Sequence, residues 1–251
     1  MSTVPPRLDI IIPVYNEGAN IVQTLSALAR HVKTPNRILI CYDSEDDDTL
    51  PAIKSNGETL NALTIEFVRN RGRGAHGAVL TGFSAGDAPF VLVFPADDDY
   101  NAGIIDPMAT EAAKGCDIVC ASRFMAGGSM TGCPWLKAIL LRAANSTLYY
   151  LARLPTHDAS NGFRLFSRRV LDEIAIESKS GFCYSIELLV KCHRLRWRIG
   201  EVPARWFERA HGVSRFQVIK WLPAYLRWYI YAFATTFFHR SAGSVPRKFA
   251  A

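Results

Sequence analysis

Apolar runs of four to six residues alternate with segments of helical period along the first half of the chain. Leu8-Asp9-Ile10-Ile11-Ile12 reads as a buried strand ended by Pro13. Asn16 to Asn20 is a turn, and Asn20 is placed to cap a helix running to about Arg30. Arg37 to Tyr42 is a second strand, Thr49 to Ser55 a short helix and Leu63 to Arg69 a third strand. A helix opens at Gly74 and runs to about Ser84; Phe90 to Phe94 is the fourth strand, Ile105 to Lys114 a helix and Asp117 to Ala121 the fifth strand. Strand and helix in regular turn predict an α/β fold, a mostly parallel sheet flanked by helices.

Beyond Arg123 the pattern changes. Met125 to Gly132 reads as a Gly-rich polar loop, and Pro134 as the first residue of a long helix reaching Leu154. Residues 155–167 read as a polar loop, Ser185 to Leu195 as a helix and Arg198 to Val202 as a short strand. Gln217 to Phe238 is rich in aromatic residues, but Lys220, Pro223 and Arg227 interrupt it. Its apolar part falls short of the ~20 residues of a spanning helix. Aromatic residues mixed with cations fit an amphipathic helix lying in a membrane interface; the alternatives are packing on the domain or pairing with a second subunit. The chain therefore divides into a domain at 1–216 and an aromatic, basic C-terminal segment at 217–251.

Composition narrows the class. With 49% hydrophobic and 21% charged residues among 251, the chain is globular. Met1 to Arg7 leads directly into a polar-flanked strand without a signal-peptide pattern. The six cysteines show no zinc-type spacing, and most read as reduced core residues of a cytosolic protein. The net charge of +6 is unevenly spread: from Lys191 onward 12 Lys and Arg face two Glu (+10), while residues 1–190 carry 17 against 21 acidic residues (−4). Such a basic quarter points to an anionic partner such as phosphate groups, a membrane surface or nucleic acid, or to a solvated basic face.

Candidate chemistry begins where the fourth strand ends. Asp97, Asp98 and Asp99 follow Val91 to Ala96, and three consecutive carboxylates repel one another unless a cation or solvent compensates them. Strand ends of open α/β sheets are ligand sites, and a hard divalent cation suits both carboxylates and a bound diphosphate. An acidic helix start is the plainer reading of the same residues.

Several stretches then fall in one order. Ile11-Ile12-Pro13-Val14-Tyr15-Asn16-Glu17, the acidic group Asp43, Asp47 and Thr49, and Pro95-Ala96-Asp97-Asp98-Asp99 together resemble inverting glycosyltransferases of the GT-A fold. Ser122-Arg123-Phe124, Asp158 to Arg164, Ile186-Glu187-Leu188 and Arg209 to Arg215 look most like dolichol-phosphate mannose synthase and related polyprenyl-phosphate glycosyltransferases. The resemblance covers about residues 8–216. It implies Pro13, Tyr15 and Glu17 at the base and ribose, Asp43 and Asp47 beside the nucleotide, and Arg71 with Arg73 near its phosphates. It also implies Ala96 and Asp97 against the nucleotide sugar, Arg209 and Arg215 on the diphosphate, and Mg²⁺ or Mn²⁺ on Asp97 and Asp99, with Asp98 nearby. Pro95 replaces the family's first carboxylate, His76 stands where glycine is frequent, and Arg215 where lysine is usual.

A lipid-phosphate acceptor is dianionic at neutral pH, its second pKa being near ~6, so it needs cations rather than a strong base. Arg123 is the catalytic cation that the resemblance supplies, with Lys137, Arg142 and Arg164 as further candidates for the acceptor phosphate. Lys137 and Arg142 are about 140° apart on a helix, so they do not both face one site. The expected activity is metal-dependent, inverting transfer of a hexose, mannose or glucose, from a GDP- or UDP-sugar to a polyprenyl phosphate. It would be performed peripherally on the cytosolic membrane face, without nucleic acid, with a homo-oligomer left open. Two alternatives stand beside it: a soluble hydroxyl acceptor served by Glu187 or Asp158 as general base, and a non-catalytic nucleotide-binding module.

Overall fold

The computed structural model describes residues 7–207 and 218–248. The first half is built from β1 (Leu8–Pro13), α1 (Gly18–His31), β2 (Asn36–Tyr42), α2 (Thr49–Ser55), β3 (Ile65–Arg69) and α3 (Gly74–Ala85). β4 (Phe90–Val93), α4 (Ile105–Ala113), β5 (Ile118–Ser122), β6 (Ser129–Thr131) and α5 (Trp135–Tyr150) follow. The rest is β7 (Arg164–Ser167), α6 (Arg168–Glu173), α7 (Cys183–Arg194), β8 (Ile199–Pro203), β9 (Arg205–Phe207) and α8 (Val218–Phe237).

Seven strands form one sheet in the order β3-β2-β1-β4-β7-β5-β8. β1 runs parallel to β2 and β4, β2 to β3, and β5 to β8. The mostly parallel, helix-flanked sheet expected from the pattern is present. Three corrections apply. The 155–167 stretch is not all loop: Arg164–Ser167 forms β7, antiparallel to both β4 and β5 and central in the sheet. The 125–132 stretch contains β6, which pairs with β9 in a second, two-stranded sheet. Pro134 precedes α5 as its N-cap instead of opening it.

Period-two alternation sorts the strand residues onto the sheet's two faces. Ile10, Ile12, Ile38, Ile40 and Leu92 join the core beneath α1, α2 and α4. Ile11, Leu39, Val91, Val93 and Phe166 join the core on the opposite face, with α3, α7 and α8. α3 approaches closely because Gly82 lacks a side chain: a Cβ there would stand 2.7 Å from Ile11 Cγ2.

Residues 218–248 are tied to the rest of the described chain. Trp228 and Ala232 of α8 are fully buried in the α7-side core. After α8 the chain returns to α6, with Val245 buried and a bridge between Ile174 and Arg247. Among the described residues no helix is long and apolar enough to cross a membrane.

Candidate active site

The chain moves outward from β1 through β2 to β3, then back across β1 to β4, so the C-terminal ends of β1 and β4 border a switch in strand order. Crevices at such points are where open α/β sheets bind ligands. Residues expected to meet a nucleotide sugar stand after three of these strands, β1, β2 and β4. Pro13 ends β1 beside Cys41 of β2, Tyr15 is exposed, and Glu17 caps α1.

The acidic group after β2 holds this rim together. Asp47 Oδ1 accepts the backbone N–H groups of Asn16 (3.1 Å) and Thr49 (2.9 Å), and Asp48 Oδ1 accepts that of Gly18 (2.9 Å). Thr49 Oγ1 accepts the Glu17 N–H at 3.0 Å. The other Asp47 oxygen is buried and has no partner among the described residues. Asp43 gathers the loop after β3: its oxygens take Asn70 Nδ2 (2.5 Å) and the N–H of Gly74 (3.1 Å). Gly74 opens α3 with φ +63°, a left-handed conformation that favours glycine. Arg71 and Arg73 are exposed on that loop. Asn70, the inner anchor of the loop, was not singled out from the sequence.

The three carboxylates after β4 have separate roles. Asp98 is a clamp: it accepts Asn101 N at 3.0 Å and Asn101 Nδ2 at 2.7 Å, and Asn101 bonds both backbone groups of Arg205 on β9. Burial pushes the Asp98 carboxyl up to about 6; the Asn101 hydrogen bonds oppose this and the charge of Asp97 adds to it. Asp97 and Asp99 are half-buried beside it. Ala96 turns its side chain into the core and its carbonyl to Thr24 Oγ1 (2.8 Å), so only its backbone belongs to the site.

Mg²⁺ or Mn²⁺ fits this donor set. The oxygens are hard, the 97–99 cluster itself contains neither His nor Cys, and the charge of Asp97, a smaller cause than burial, disfavours ionisation of Asp98, which a cation would oppose. Among the described residues no three His, Cys, Asp or Glu side chains form a cage. Two carboxylates would therefore share the ion with diphosphate oxygens and water, the usual pattern for Mg²⁺.

Two strand steps further, after β5, stands Arg123. At about 4.8 Å per step, the ends of β4 and β5 lie roughly 10 Å apart. Arg123 Nε donates to Asp158 Oδ2 at 2.7 Å, and its Nη2 reaches Asp158 Oδ1 (3.0 Å) and Ser160 Oγ (2.8 Å). Asp158 is fully buried. Burial pushes its carboxyl up, but the charge and hydrogen bonds of Arg123 prevail and hold it below the ordinary carboxylate value. Arg142 of α5 and Arg123 both stand over the ring of Phe124, at 5.6 and 5.2 Å from its centroid. Lys137 instead lies over Trp206 of β9 at 5.4 Å, so the two α5 cations face different elements, as their spacing required.

Arg164 needs correction as a residue lining the acceptor site. It is fully buried beneath the loop, donating to the carbonyls of Ser185 (2.5 Å) and Asp158 (3.2 Å). Glu187 is likewise enclosed, accepting the N–H groups of Glu177 (2.6 Å) and Ser178 (2.8 Å) and Lys191 Nζ (2.6 Å). Neither Glu187 nor Asp158 is placed to serve as a general base. Arg209 and Arg215 lie outside the described residues.

Comparison with known proteins agrees with this architecture. The family model for glycosyl transferase family 2 matches residues 9–175. Polyprenol monophosphomannose synthase of Mycolicibacterium smegmatis is 26% identical over 223 residues, 85% of this chain and 83% of that protein. An uncharacterized glycosyltransferase of Mycobacterium bovis is 26% identical over 206 residues, 82% of this chain and 88% of that protein. Among solved structures, glucosyl-3-phosphoglycerate synthase of Mycobacterium tuberculosis with Mn²⁺, UDP and glucosyl-3-phosphoglycerate superposes with a TM-score of 0.61 at 17% identity. That match covers 92% of this chain and 80% of that one. Its complex with Mn²⁺, UDP-glucose and phosphoglyceric acid gives 0.62 at 16% identity, over 92% and 79%. These neighbours share the GT-A fold, as the sequence motifs implied.

Proposed function

The chain belongs to glycosyl transferase family 2, and on that premise we propose that it transfers a hexose, mannose or glucose, from a nucleotide sugar to a polyprenyl phosphate. The observation that carries this reading is the coupling of a cationic site to an apolar surface. Arg142, which shares the Phe124 ring with Arg123, belongs to α5, and α5 exposes Trp135, Leu136, Ile139 and Leu140. α8 lies beside it, joined by Thr147 Oγ1 and the Tyr229 hydroxyl at 2.6 Å, and exposes Leu222, Leu226, Ile230 and Phe237. An acceptor with an anionic head and an apolar tail matches both features. Exposed apolar stripes this large mark interaction surfaces, and cations beside them favour an anionic lipid layer. The activity would thus be peripheral, on the cytosolic membrane face. The name of the M. smegmatis relative supports both mannose and a polyprenol.

In this reading the donor lies across the switch point. Its base and ribose meet the rim of Pro13, Tyr15 and Glu17, and the unpartnered Asp47 oxygen accepts one of their N–H or O–H groups. Asp97 and Asp99 hold the divalent ion, which when bound neutralises charge on the departing diphosphate. Arg123 and the exposed Arg142, both over the ring of Phe124, bring positive charge beside the acceptor loop, whose Asp158 carboxylate is paired with Arg123. That charge draws the lipid phosphate toward the sugar and lowers the repulsion between two anions. A phosphate oxygen attacks the anomeric carbon, the bond from that carbon to the donor diphosphate breaks, and the configuration inverts. No proton has to be removed, in keeping with the burial of Glu187 and Asp158.

The test is incubation with Mg²⁺ or Mn²⁺, polyprenyl phosphate and a panel of GDP- and UDP-sugars, followed by mass spectrometry of the lipid extract. A glycosyl-phosphoryl-lipid is expected. Transfer to a soluble phosphorylated hydroxyl compound alone would move the reading to the soluble-acceptor branch of the fold.

A further inference from the structure

The loop from Ala175 to Phe182, between α6 and α7, touches the donor side, the acceptor loop and α8. At the α8 end, Arg227 Nη2 donates to Glu177 Oε1 at 2.7 Å and Trp228 Nε1 to Ser178 Oγ at 2.9 Å. Beneath, Glu187 accepts the N–H groups of Glu177 and Ser178. Lys191 pairs with Glu187 (2.6 Å) and Glu177 (2.8 Å) and donates to Ala175 O (2.7 Å). Phe182 lies 3.8 Å from where a Cβ on Gly162 of the acceptor loop would stand.

At the donor end the loop meets His76. This residue is in the first turn of α3, directly after the Arg71–Gly74 segment that Asp43 gathers. Its ring is buried, 6.0 Å from that of Tyr184, and the carbonyls of Ser178 and Gly181 face it. Burial lowers its pKa, the two carbonyls opposing, so it is neutral at neutral pH. Its Nδ1 makes no hydrogen bond among the described residues, although it is buried. None of this serves the chemistry proposed above, yet Ser178 turns its carbonyl toward His76 and accepts the Trp228 indole N–H on its hydroxyl.

We propose that His76 is a positioning residue through which the 175–182 loop couples α8 to the donor loop, so that seating α8 on an anionic lipid surface tightens nucleotide binding. The proposal rests on the glycosyltransferase reading for its donor. α8 presents one face outward and buries Trp228 and Ala232 on the other, so a surface that holds the helix also holds the hydrogen bonds from Arg227 and Trp228 to the loop. A loop so fixed presents its carbonyls to His76 in one arrangement, and the first turn of α3 pays less to order around a diphosphate. Linkage makes the coupling reciprocal: nucleotide must strengthen lipid binding by the same factor.

The experiment titrates the full chain with nucleoside diphosphate and Mg²⁺, with and without vesicles of phosphatidylglycerol and phosphatidylcholine. Vesicles should tighten nucleotide binding at least about fivefold, and saturating nucleotide should raise vesicle partition equally. His76→Asn and Ser178→Ala should both still bind nucleotide and lipid but lose that mutual enhancement. If His76→Asn does not fold, Ser178→Ala and Glu177→Gln, which cut the loop at its α8 end, decide the matter. Nucleotide binding that ignores vesicles in the unaltered chain would overturn the coupling and leave the donor reading intact. The same enhancement in the variants as in the unaltered chain would overturn the role of the loop. Absence of any nucleotide binding would remove the donor reading and the coupling together.

Discussion

Asp97→Ala should abolish turnover while nucleotide still binds through the β1 and β2 rim; titration of nucleotide beside an activity assay separates the two, and unchanged turnover would remove Asp97 from the metal. Arg123→Ala should raise the acceptor KM more than the donor KM. It also leaves the buried Asp158 charge without its partner, at a cost of about 3–5 kcal/mol in urea unfolding. Arg142→Ala, at an exposed position, should raise the acceptor KM with little loss of stability. Asp158 has a folded-state pKa below the ordinary value, so its stabilising pair with Arg123 is complete above the ordinary carboxylate range. That contribution is lost as pH falls through the lowered pKa, and urea midpoints measured from pH 6 to pH 3 should fall less steeply in Arg123→Ala. Asp97, Asp98 and Asp99 stand out in the sequence as candidates because adjacent carboxylates after an apolar run are locally visible. The clamp made by Asp98 could not be read there, because Asn101 finds its partner Arg205 at a separation of 104 residues. Nor could the burial of Arg164, whose neighbours come from a loop and a helix on either side of it.

The regular strand–helix alternation made most elements legible, and α2 falls on Thr49–Ser55 as expected. β7 escaped because Arg164-Leu165-Phe166-Ser167 has only two apolar residues and follows a long polar loop; its pairing is set by β4 and β5, not by its own pattern. β6 and β9 are three residues each and exist through each other. A helix within 217–238 was legible from its aromatic residues mixed with cations, but which residues face inward was not. Trp228→Ala should cost about 3–5 kcal/mol of stability through the cavity it leaves. Leu226→Asp with Ile230→Asp, on the exposed stripe, should leave thermal unfolding nearly unchanged and weaken vesicle sedimentation at least about tenfold, since each charge opposes insertion. Vesicle binding equal to that of the unaltered chain would argue against α8 as a lipid-facing element.

Across the whole molecule, the proposed donor carboxylates follow β2 and β4 and the proposed acceptor cation Arg123 follows β5, along the C-terminal edge of a single sheet. The family and fold were legible because their motifs are short and ordered in sequence. The acceptor surface was legible only in part, because it needs α5 and α8 side by side, and no local pattern brings those helices together. The most direct measurement is the lipid product itself. With Mg²⁺ or Mn²⁺, polyprenyl phosphate and a panel of nucleotide hexoses, the organic extract should contain a hexosyl-phosphoryl-polyprenol, absent when the ion is chelated. Nucleotide sugar bound but never transferred to the lipid phosphate, under conditions where a soluble acceptor is glycosylated, would contradict it.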